Sequence, residues 1–74
     1  MNRYVPLLEA AIGRMQRQTL LERMAVYKAA RSSLEAFFDQ SEVSEEQKIK
    51  ISFLLDSAIE QIEIRYIAEQ KNAA

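Results

Sequence analysis

A chain of 74 residues with a net charge of −1 and no cysteine or histidine cannot build disulfides, thiol nucleophiles, imidazole or thiolate metal sites, or the histidine base of most acyl-transfer enzymes. With 49% hydrophobic and 28% charged residues it is too apolar to stay disordered, and at this size it forms one small domain with a modest core. One glycine and one proline leave too few turn formers for a fold of many short strands, so the expected class is all-α.

The first predicted helix covers about residues 5–15. Pro6 suits a first turn, where its missing N–H costs nothing. Leu7, Leu8, Ala11, Ile12 and Met15 then recur as one apolar stripe. Gly13 weakens this helix or ends it early. A polar loop, Arg14 to Gln18, leads to Thr19-Leu-Leu-Glu22, the spacing of a capping box, which opens a second helix over about residues 20–38. Its core-facing side is predicted to carry Leu20, Met24, Tyr27, Leu34 and Phe38 with Val26, Ala30 and Phe37. Turn formers from Asp39 to Val43 precede a second capping box, Ser44-Glu-Glu-Gln47, and a third helix over about residues 45–69. Its main face is Ile51, Leu54, Leu55, Ala58, Ile59, Ile62 and Tyr66, and Gln70 to Ala74 are expected to fray. The short connection makes the two long helices an antiparallel hairpin, to which the N-terminal helix adds a third member of a bundle.

Charge is unevenly spread. Residues 1–31 hold six basic and two acidic side chains, residues 32–74 four basic and nine acidic ones. Such asymmetry marks a nucleic-acid- or lipid-binding arm in some proteins, but attraction between the halves of a hairpin explains it without any external partner. The acidic third helix and a pI near 5.4 speak against nucleic acid as a partner.

Two features exceed what a plain hairpin needs. The third helix carries a second stripe, Ile49, Phe53, Ile64 and Ile67, interrupted by Asp56, Glu60 and Glu63 and facing away from the main one. Either the first helix folds over it or another chain covers it. Arg23 and Arg31 project from within the apolar face of the second helix. They reach the rim on their long stems, or they pair with Asp56, Glu60 or Glu63 across an interface. These nine residues form the candidate interaction surface.

No constellation for catalysis, cofactor or metal binding emerges. Glu60 and Glu63 stand one turn apart without the histidine that a di-metal bundle site uses, and Ser32 and Ser33 near Lys28 and Arg31 lack a glycine-rich cradle. No stretch is long and apolar enough to span a membrane, and the start lacks a signal-peptide run, so a cytoplasmic location is expected.

The segment Thr19 to Arg31, preceded by Tyr4 to Ile12, resembles a helical segment near the start of uncharacterised alphaproteobacterial proteins. The resemblance covers roughly the first half of the chain. It rests on a capped turn followed by an aliphatic residue, Tyr, two residues, Ala and Arg, here Val26, Tyr27, Ala30 and Arg31, with Leu20 in place of the usual proline. That family carries no assigned activity, and in its longer members the segment precedes a linker and membrane-associated parts. The resemblance implies a small interaction module. The expected function is therefore a protein-protein interaction module that homodimerises or docks on a larger protein. The alternatives are a small inhibitor of an enzyme or nucleic-acid machine, antitoxin-like or phage-derived, and then a nucleic-acid-binding protein.

Overall fold

The computed structural model describes residues 2–73 and consists of three helices: α1 (Tyr4–Gly13), α2 (Leu20–Gln40) and α3 (Glu45–Ala73). No strand occurs among the described residues. Local chemistry sets the helix starts. Thr19, in an extended conformation, accepts a hydrogen bond from the Glu22 amide through Oγ1 at 3.2 Å, and Ser44 accepts from the Gln47 amide at 3.1 Å, so both capping sequences act as caps. At the start of α1 the Asn2 carboxamide does two things: its oxygen accepts from the Tyr4 amide at 2.9 Å, and its nitrogen donates to the Leu54 carbonyl at 2.6 Å.

The ends differ from expectation by a few residues. α1 stops at Gly13, two residues before Met15, with the Arg14 and Met15 amides closing a tight last turn onto Ala11 and Ile12. α2 runs two residues beyond Phe38. α3 continues to Ala73 through the segment expected to fray, and Ala74 lies outside the described residues. At about 1.5 Å per residue, the 29 residues of α3 account for most of the 48 Å long axis.

Cross-links fix the directions. Arg23 meets Glu63 and Arg31 meets Asp56, so α2 and α3 are antiparallel, whereas Asn2 meets Leu54 and Glu9 meets Arg65, so α1 runs parallel to α3. The core is built from all three helices: Leu8 and Ile12 of α1, Val26 and Tyr27 of α2, and Leu55, Ala58 and Ile62 of α3. Ala58, fully buried and lacking a long side chain, lets the helices come close at the centre.

The structure rules out one of the two alternatives for the second stripe of α3: α1 does not lie over it. It packs on the main face, in contact with both long helices, and leaves Ile49, Phe53, Ile64 and Ile67 exposed. One expectation is corrected, since the apolar face of α2 is not buried as a whole: Leu20, Met24 and Phe37 are each at least half exposed, because that face is wider than the surface α1 and α3 present to it.

Candidate functional site

The most polar structure inside the fold surrounds Arg23. This residue is 5% exposed, and its guanidinium grips the Glu63 carboxylate with two bonds, Nε at 2.7 Å and Nη2 at 3.0 Å. Nη1 donates to the Gln18 carbonyl at 2.8 Å. The Tyr66 ring lies beneath the guanidinium, 4.0 Å from its carbon, and the Tyr27 hydroxyl donates to the same carboxylate at 2.5 Å. Gln18 adopts a φ of 53°, in the left-handed region, which turns the loop so that its carbonyl meets Arg23. No buried side-chain nitrogen or oxygen among the described residues lacks a partner.

Charges shift accordingly. The hydrogen bond from Arg23 holds the Glu63 carboxyl below its usual value against the opposing effect of burial, and the Tyr27 bond acts in the same direction. Arg23 is pushed up, chiefly by its bond to Glu63. Burial first, and then its bond to Glu63, push the Tyr27 hydroxyl well above an ordinary phenol. Every partner in this cluster is used by another, so it clamps α2 to α3 and pins the α1–α2 loop.

Of the nine candidate surface residues, Arg23 and Glu63 therefore meet inside the fold, and Arg23 does not reach solvent along its stem as expected. Arg31 and Asp56 form an exposed pair at 2.6 Å, of a kind that contributes little to stability. Both arginines find their acids within the chain, which matches the intramolecular account of the charge asymmetry. Glu60 is exposed and has no ion-pair partner among the described residues. Ile49, Phe53, Ile64 and Ile67 lie along the outer side of α3, between 52% and 69% exposed.

Sequence reasoning missed a second apolar feature. Between α1 and α2, above Leu55, lies an open groove of about 580 Å³. Tyr4, Leu7 and Ala11 of α1, with Met15 just beyond its end, form one wall, and Ala25, Ala29, Ser33 and Phe37 of α2 the other. Leu7 is 64% exposed. The spacing of Ala25, Ala29 and Ser33 at every fourth residue was visible, but small residues on a helix do not reveal that no neighbour fills the space above them. With Tyr4 and Ser33 as its polar side chains, the groove lacks the convergent polar groups that orient a small ligand.

Among the described residues, no group of three or more acidic side chains is placed to hold a metal ion, and no helix is long and apolar enough to cross a membrane. What fold and surface define is a class: a small three-helix protein with many exposed hydrophobic side chains on two sides. Compared with protein-family models, with curated proteins and with solved structures, the chain matches none of them.

Proposed function

We propose that this protein is a non-catalytic helical interaction module, working by self-association or by docking on a larger protein. The open α1–α2 groove carries this reading. An apolar track of this size, flanked by exposed Leu7 and Phe37, costs solubility when left open and gains free energy when a partner helix covers it. The outer stripe of α3 adds a second apolar face, and the Arg23 cluster keeps α2 and α3 rigid enough to present both surfaces without rearrangement.

Affinity capture of the tagged full chain from its source cells tests this, with Leu7→Glu as the paired variant. Leu7 is exposed, so the variant keeps the parent's helicity and melting temperature. The parent is expected to retain a defined partner, another protein or the untagged copy, which Leu7→Glu loses. Capture of the same set by both proteins would overturn the reading.

A further inference from the structure

Charge decides which partner suits the outer stripe of α3. Its apolar residues stand at the ends, Ile49 and Phe53 on one side, Ile64 and Ile67 on the other, with Asp56 and Glu60 between them. A two-fold dimer through this stripe, with its axis across α3, pairs Ile49 with Ile67 and Phe53 with Ile64, and sets Asp56 against Glu60 of the mate. With the axis along α3, each acid meets its own copy. Both arrangements place like charges at the centre of the contact, where they cost most. Arg31 offsets Asp56 within the chain, but Glu60 has no such partner among the described residues. The stripe calls for an apolar surface from which long cationic side chains can reach Asp56 and Glu60.

The chain itself carries one. Along the α1–α2 groove, Arg3 adjoins Tyr4, Arg14 adjoins Met15 and Lys28 adjoins Ala29. All three cations are exposed, and none makes an ion pair among the described residues. Against them stand two acids of α2, Glu22 in its first turn and the exposed Glu35, which adjoins Leu34 and shares the rim with Lys28, so the border, three cations against two acids, keeps a net charge of +1. The small side chains of Ala25, Ala29 and Ser33 allow a helix to approach closely, while Leu7 and Phe37 stand beside it. Leu55, on the inner side of α3, floors the groove, so groove and outer stripe face away from each other.

Resting on the interaction reading above, we infer that a second copy of this chain is the groove's occupant: the acidic outer stripe of α3 docks head to tail into the basic-bordered α1–α2 groove of the next molecule. Because donor and acceptor surfaces lie on opposite sides, the contact does not close on itself and propagates as an open chain.

Sedimentation equilibrium of the purified full chain, alone and with variants, tests the contact. Leu7→Glu blocks only the groove and Phe53→Glu only the stripe. Both positions are exposed, and circular dichroism melting checks that each variant is folded. The parent's average mass should rise with concentration beyond twice 8.6 kDa, and each variant alone should stay at 8.6 kDa. An equimolar mixture of the two should form a one-to-one dimer, since each supplies the surface the other lacks. Glu60→Lys should weaken association several-fold at low salt. A parent that stops at a dimer which mixing does not restore, or which Glu60→Lys strengthens, would establish a two-fold contact and overturn the inference. A monomeric parent also overturns it, and if a Leu7-dependent partner is still captured from cells, the interaction reading stands without it.

Discussion

Leu55→Ala is expected to lower stability by about 2 to 5 kcal/mol, the range for truncating a fully buried leucine. Leu55 is 2% exposed and packs where α1, α2 and α3 meet, so neither backbone nor side chains can collapse far into the void. Natural domains hold about 0.05 to 0.15 kcal/mol per residue, so for 74 residues this loss is a large share of the whole. The melting temperature should fall by more than about 10 °C. Ile64→Ala, of similar chemistry but 57% exposed, should stay within about 0.5 kcal/mol of the parent. Thermal denaturation of the two variants side by side measures the difference. Equal losses would mean that the inner and outer faces of α3 have been exchanged.

Arg23→Met should cost about 3 kcal/mol, the low end for breaking a buried ion pair, because the Glu63 side chain keeps 23% of its surface exposed and recovers some hydration. Methionine fills much of the volume, so the loss reports the carboxylate left without its cation, the Gln18 carbonyl left without a donor and the lost stacking on Tyr66. The same cluster makes stability depend on pH. Glu63 is held below its usual value by Arg23, so the stabilisation is complete above the ordinary glutamate pKa of about 4.3 and is lost as the pH falls from there towards the depressed value. In Glu63→Gln that component of acid sensitivity disappears, and its melting temperature should fall less than the parent's between about pH 5 and pH 3. At the alkaline end the sign is reversed. Tyr27 is pushed up, so its contribution is intact below the ordinary tyrosine pKa of about 10 and declines above it. Acid titrations of equal steepness in parent and Glu63→Gln would show that the cluster does not hold the folded state.

The helices were legible because their signals are local. Thr19 and Ser44 announce their caps within three residues, and Gly13 marks an early end for α1 without any tertiary contact. Which face α1 covers was not legible, since α3 carries a second apolar stripe besides its main face and periodicity does not say which of the two a third helix takes. The choice rests on contacts more than fifty residues apart, Asn2 with Leu54 and Glu9 with Arg65, and on Ala58 leaving room at the centre. Arg23 shows the same limit from the other side. An arginine inside an apolar face reads as one whose stem reaches water, unless its counter-charge is known to stand opposite. Here Glu63 does, forty residues on, flanked by Tyr66 one turn later, with Tyr27 one turn after Arg23. Two charged residues each followed by a tyrosine a turn later was the available signal. The groove left no such trace, because it depends on how α1 and α2 sit against each other, which side-chain spacing does not encode.

The central claim is that one face of α3 closes the core while the other stands open to a partner, and isoleucine-methyl NMR with a soluble paramagnetic agent tests it most directly. In dilute solution, Ile12 and Ile62, at 2% and 1% exposure, should keep sharp signals while Ile49, Ile64 and Ile67 broaden strongly. Protection of Ile64 and Ile67 to the level of Ile62 at the lowest concentration would contradict the account, because the outer stripe would then already be covered within a single chain.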